Sequence, residues 1–188
     1  MNSLTLCGNK QNAQTIENAV LENIANRKSV RNYIEGKAIE ADKIEKLLRA
    51  GMVAPTGKNI QPWEFIVVTQ RSALDTLATK LPYAKMLNQA TLAIIVCADI
   101  TKSVYWYIDC AAVTENILLA AEAMQLGAVW TATYPYEDRM NAVKEVVKHP
   151  DHIQSLCVIP IGYPSVETSP KDKWKPEKIH YEKWRDME

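Results

Sequence analysis

The sequence predicts one domain of mixed α and β structure, and three observations carry that expectation. Its 188 residues suit a single domain. Four short apolar runs, bounded by turn residues, read as buried strands. Between them lie stretches whose apolar residues recur at helical spacing.

Along the chain, residues 1–14 are polar and patternless and read as a flexible N-terminal arm. Ile16, Val20, Leu21 and Ile24 then recur as a helix ending near Asn26, and a turn at Gly36 follows. A second helix starts near Glu40, aligns Ile44, Leu47, Leu48 and Met52, and is stopped by Pro55. Phe65–Val68 is the first strand. Leu74, Leu77 and Leu81 mark a helix before Pro82, and 91–97 is the second strand. Helical pattern runs from about Tyr105 to Leu126, with Gly127 read as the glycine just past its end. A third strand is expected over Ala128–Thr133, closed by Tyr134-Pro135. Met140, Val143, Val146 and Val147 line a helix over 138–148, and Leu156–Ile161 is the fourth strand. Residues 165–188 are polar and proline-dotted yet carry Trp174, Ile179, Tyr181 and Trp184, so they read as an arm that docks on something.

Composition narrows the function classes. Lys+Arg and Asp+Glu number 22 each, which argues against a protein held on nucleic acid by phosphate neutralisation. No apolar run approaches the ~18 residues of a membrane helix. The first ten residues lack the basic and apolar regions of a signal peptide. The dispersed Cys7, Cys97, Cys110 and Cys157 read as buried thiols of a reducing cytoplasm, the expected location. His149 and His152 have no Cys or acidic cluster to complete a metal site, so no metal is expected.

The 109–125 helix is unusual because its apolar side chains fall on two arcs. Ile108, Ala112, Leu119 and Ala123 share one; Val113, Ile117, Ala120 and Met124 share the other, with Asp109 and Asn116 at a boundary. Two faces suggest one against the sheet and one against a partner subunit, or a helix sandwiched within one chain.

Three polar segments are candidates for chemistry. Arg27-Lys28-Ser29-Val30-Arg31 concentrates cations and a hydroxyl that suit a phosphate clamp, or equally complement the dipole at a helix C-terminus. The loop Ala54–Trp63 is dense in hydrogen-bonding groups but lacks the glycine and Ser/Thr spacing of a P-loop. Lys171-Asp172-Lys173-Trp174-Lys175 sets cations beside a tryptophan, as a ligand contact or a solvated linker. No acid–base or nucleophile set stands out, which leaves a binding protein or an enzyme whose cofactor performs the chemistry.

Taken in order, these pieces resemble the FMN-dependent nitroreductase family, its short members above all. The resemblance runs from about Ile16 to Trp184 and rests on 27–31, 54–63, Lys85-Met86-Leu87, Gly127–Thr131, Ile161–Pro164 and His180–Trp184. It implies an α+β fold: a mixed α/β/α sandwich with an antiparallel-rich sheet, built as an intertwined homodimer with a swapped C-terminal arm. The domain would span 15–164, with 165–188 docking on the partner subunit.

The resemblance also implies two FMN sites at the subunit interface and NADH or NADPH as electron donor. Arg27 and Ser29 would contact the phosphate and ribityl chain, with Lys28 between them at a cofactor-binding position where the family often has Arg, and Arg31 would face the pyrimidine edge. Pro55, Thr56, Gly57 and Asn59 would approach from the other subunit. Lys85, and Trp130, Thr131 and Ala132, would approach the ring. Lys171 and Lys173 would close on the phosphate; many relatives have Arg at the second position, and Lys lacks its bidentate fork. The implied activity is ping-pong, two-electron reduction of nitroaromatics, quinones or similar small-molecule acceptors, with no side chain obliged to act as acid or base. Dehalogenation, flavin fragmentation and FMN storage without turnover are alternatives on the same fold. Tyr105, Trp106 and Tyr107 either shape the acceptor pocket or pack at a helix start.

Overall fold

The computed structural model describes the backbone from residue 4 to 184 and the side chains from 14 to 184. Strand β2 (Leu92–Asp99), buried along its whole length, is central. It pairs antiparallel with β1 (Trp63–Val68) and with β5 (Ile153–Gly162). Two short strands, β3 (Gly127–Ala128) and β4 (Thr131–Ala132), both pair antiparallel with β5.

Successive strand residues point to opposite faces, so β2 feeds two cores. Leu92, Ile94, Val96 and Ala98 pack with Leu47 of α2 (Ala41–Met52) and with Val113 and Ile117 of α4 (Trp106–Ala123). Ala93, Ile95 and Cys97 meet Leu74 and Leu77 of α3 (Arg71–Lys80), Val143 of α5 (Glu137–Val147) and Tyr33. This is the expected α/β/α sandwich. A strand covered on both faces reads as an unbroken apolar run rather than an alternating one.

Three elements differ from expectation. Helix α1 (Leu4–Asn26) begins at Leu4 rather than near Ile16, across most of the stretch read as an arm. Residues 4–15 hold no proline to interrupt a helix, but their few apolar residues show no helical periodicity, so the sequence pattern does not mark this part of α1. The side chain of Cys7 lies outside the described residues. The third strand is split, because only Gly127–Ala128 and Thr131–Ala132 pair with β5.

Gly127 is the third difference, since it does not cap α4. Gln125 takes the left-handed turn (φ 59°). The Gln125 N–H donates to Glu122 O and the Leu126 N–H to Ala121 O, at 3.0 and 2.9 Å, a Schellman ending without glycine. Gly127 is needed for close approach instead: a β-carbon there would lie 2.6 Å from Val30 Cγ1.

The two arcs of α4 part company in the structure. Val113 and Ile117 are buried on the sheet, whereas Ile108 is 53% exposed and Ala112 and Leu119 are only half-buried. The polar boundary residues tie down neighbouring segments, Asn116 Nδ2 donating to Ala50 O at the end of α2 at 3.0 Å.

Candidate functional site

Beyond Asn26 the chain runs as a strap along the sheet edge. Ser29 bridges Ala128 in parallel, with Val30 N–H donating to Ala128 O at 3.0 Å. Further on, Tyr33 bridges Pro164 and Ile34 N–H donates to Tyr163 O at 2.8 Å. Val30 is buried and its neighbours Ser29 and Arg31 alternate outward to solvent, while Tyr33, beyond this stretch, is buried as well. The Tyr33 hydroxyl lies 2.7 Å from Val30 O and 3.1 Å from Pro160 O. Burial pushes its pKa up, keeping it a donor throughout the physiological range.

The strap's cations are oriented by α4. Arg27 Nε lies 3.0 Å from Glu115 Oε1, and Lys28 Nζ 2.8 Å from Glu122 Oε1. The C-terminal segment then returns over the strap, starting where Ser165 N–H donates to Asn32 O at 3.1 Å. Together they enclose an open groove of about 1050 Å³. Arg27, Lys28, Ser29 and Arg31 line one side; Thr168, Ser169, Lys171 and Lys173 line the other, with Trp174 at its end. Two segments that were each ambiguous alone thus converge. Among the described residues Arg31, Lys171 and Lys173 form no ion pair, so the groove keeps an excess of positive charge.

The remaining candidates lie elsewhere in the chain. Thr56 Oγ1 donates to Asp109 Oδ2 at 3.0 Å and Gly57 N–H to Asp109 Oδ1 at 3.2 Å, so the loop with Pro55, Thr56, Gly57 and Asn59 is tied to the first turn of α4. Glu122, which holds Lys28, is in its last turn. At ~1.5 Å per residue the two anchors are about 20 Å apart along the axis. One chain therefore holds the loop near the start of α4, Arg27 from its middle and Lys28 near its end.

Trp130 is half-buried against the core beside the Ser29–Ala128 contact. Thr131 Oγ1 donates to Val158 O at 2.6 Å, and the carbonyl of exposed Ala132 accepts from Arg139 Nη1 at 3.3 Å. Lys85 lies outside the groove, where its Nζ caps α3 by donating to Ala78 O and Thr79 O at 2.9 and 3.3 Å. Trp106 is buried edge-on to Tyr134, centroids 4.8 Å apart, whereas Tyr105 and Tyr107 are exposed.

Sequence reasoning passed over Asp109, Glu115, Glu122, Thr168 and Ser169. Asp109 on one side, and Glu115 and Glu122 on the other, gave a signal only as polar residues separating the two apolar arcs.

The comparisons with known proteins agree on one family. A model of the nitroreductase family matches residues 24–82 and 73–163. A relative from Methanothermobacter thermautotrophicus, provisionally named an NADH dehydrogenase/NAD(P)H nitroreductase, is 40% identical over 168 residues, covering 88% of this chain and 87% of its own. A crystal structure from Bacteroides thetaiotaomicron with the same provisional name superposes with a TM-score of 0.87 at 57% identity, covering 89% of this chain and 99% of that one. A provisionally named nitroreductase from Desulfovibrio desulfuricans, in complex with FMN, superposes with a TM-score of 0.75 at 28% identity over 88% of this chain and 98% of its own. The chain belongs to the nitroreductase family.

Proposed function

We propose that the protein is an FMN-dependent oxidoreductase that draws electrons from NADH or NADPH and reduces nitroaromatics, quinones or similar electron-poor small molecules in a ping-pong, two-electron cycle. The observation that carries this is the groove between strap and C-terminal segment. Its donors suit a phosphate monoester: guanidinium and ammonium groups supply charge-assisted hydrogen bonds, and Ser29, Thr168 and Ser169 supply hydroxyls. Glu115 and Glu122 hold Arg27 and Lys28 in place, while Arg31, Lys171 and Lys173 form no ion pair among the described residues and outnumber the one carboxylate of the lining, Asp172.

FMN, when bound, supplies the two-electron relay between nicotinamide and acceptor. The chain's own part is to bind and orient. Arg27, Ser29, Lys171 and Lys173 hold the phosphate, and Arg31 sets a positive potential beside the ring. The 54–59 loop closes the site from a second copy of the chain, so the working unit is a homodimer. Exposure of Trp174 and Trp184, at 72% and 77% in one chain, supports that reading of the arm. Among the described residues no helix is long and apolar enough to cross a membrane.

The test is direct. The purified protein is expected to be yellow, to bleach when NADH or NADPH is added without oxygen, and to recover colour with a nitroaromatic or a quinone. Colourless protein that takes up no added FMN refutes the reading. Yellow protein that never bleaches points to storage instead.

A further inference from the structure

The loop 56–61 has a conformation that its own sequence does not favour. Lys58, Asn59 and Gln61 have φ of 54°, 56° and 52°, so three of four successive residues are left-handed and none is glycine. Something outside the loop must hold it.

The holding group is a carboxylate. Asp109 is 5% exposed, and among the described residues it forms no ion pair. Its charge is met by the N-terminal turn of α4 and by the loop donors alone. Both oxygens accept, one from the Thr56 hydroxyl and one from the Gly57 N–H. The Thr56 oxygen itself accepts the Gln61 N–H at 3.1 Å, which commits its single proton to Asp109. Gln61 Nε2 then reaches Asn59 Oδ1 at 2.8 Å. The chain of bonds runs from Asp109 through each left-handed stretch of the loop.

We infer that Asp109 is a positioning residue that locks the 56–61 loop in its strained form before a ligand arrives. The consequence for FMN rests on the function proposed above, which gives this loop to the neighbouring subunit's site. Without the lock the loop relaxes toward ordinary φ values, and only the fraction still in the locked form is competent. If that fraction falls to about a tenth, the apparent Kd for FMN rises about tenfold.

Asp109→Asn tests this at constant shape, because the amide offers one acceptor and one donor where the loop requires two acceptors. In the full chain, amide hydrogen exchange at Gly57 and Gln61 is expected to accelerate, and FMN titrated by fluorescence quenching to bind about tenfold more weakly. Thr56→Val, which removes the relay hydroxyl, should do the same, and the double variant should be no worse than Asp109→Asn alone. Thr56→Ser keeps the hydroxyl and should keep the slow exchange; if Asp109→Asn fails to fold, the two Thr56 variants carry the test. Unchanged exchange in Asp109→Asn or Thr56→Val overturns the lock. Altered exchange with unchanged FMN affinity overturns the positioning role. If the unaltered chain takes up no FMN, the functional reading fails, and the exchange comparison still decides the lock.

Discussion

Gly127→Ala should damage the candidate site through the strap, although Gly127 does not line the groove. The added methyl would lie 2.6 Å from Val30 Cγ1, 2.8 Å from Val30 Cβ and 3.2 Å from Tyr33 Cε1. Carbon atoms in contact prefer ~3.5–4.0 Å, so the overlap with Val30 is about 1 Å. Val30 is buried and β-branched, with little rotamer freedom, and its N–H is bonded to Ala128 O. The strap itself must shift. Overpacking of this kind costs about 1–3 kcal/mol. For a chain of this size that corresponds to a Tm lower by roughly 2–12 °C.

Because Ser29 and Arg31 flank Val30, the same shift moves two groove donors. Loss of one charge-assisted bond, about 1.5–3 kcal/mol, weakens FMN by a factor of ten or more, at about 1.4 kcal/mol per decade. Thermal melts and FMN titration measure both effects. Adding Val30→Ala removes the Cγ1 overlap but not that with Cβ, so the double variant should be less destabilised than the sum of the single ones. A Gly127→Ala protein with wild-type Tm and wild-type FMN affinity would refute the steric argument.

Three further outcomes are expected. Lys173→Arg restores a bidentate fork over the groove and should tighten FMN several-fold, by about 1 kcal/mol, in equilibrium titration; weaker binding would mean that Lys173 does not face the phosphate. Arg31→Ala, fully loaded with FMN, should slow NADH-dependent bleaching about tenfold, roughly 1.4 kcal/mol, in stopped-flow, and an unchanged rate contradicts its place beside the ring. Burial pushes the Cys97 and Cys157 thiols from an ordinary 9.0 up to about 12, and Cys110 up as well. The folded state therefore keeps protons that the unfolded chain releases above pH ~9, so their contribution is intact below that value and is lost as pH rises toward about 12. Denaturant melts should show this alkaline decline, flattened by Cys→Ala changes, and peptide mapping should find these three cysteines unmodified by thiol reagents until the chain unfolds.

What the sequence disclosed depended on whether a feature's cause was local. β2 was legible because burial on both faces demands a continuous apolar run, and α2 because Ile44, Leu47 and Leu48 repeat along one face and a proline follows. Gly127 was misread because its cause is Val30, which is remote in sequence, while the helix end it seemed to cap is completed by Gln125. The cations of 27–31 and 171–173 were visible, but each had an equally good local explanation. Only the return of the tail at Asn32–Ser165 makes them one groove. Asp109 was hardly legible at all, since a single carboxylate in a helix shows nothing of the loop it holds. The start of α1 was missed because residues 4–15 carry no apolar residues at helical spacing for the pattern to mark.

Helix α4 bears on the proposed homodimeric site. It holds Arg27 from its middle through Glu115, Lys28 near its C-terminal end through Glu122, and the 56–61 loop near its N-terminal end through Asp109. The loop anchor Asp109 and the Lys28 anchor Glu122 are about 20 Å apart along this rigid helix, and the proposed homodimer would let the loop of one chain serve the groove of the other. In the proposed homodimer, a two-fold axis beside α4 with the two copies of the helix antiparallel would set the loop end of each toward the groove end of the other. The same operation covers the arc carrying Ile108, Ala112 and Leu119, which a single chain leaves incompletely buried. It also offers cover to Ile16, Val20, Leu21 and Ile24 of α1, all exposed. Cover for these apolar side chains and completion of the proposed site would thus be met by one and the same two-fold arrangement.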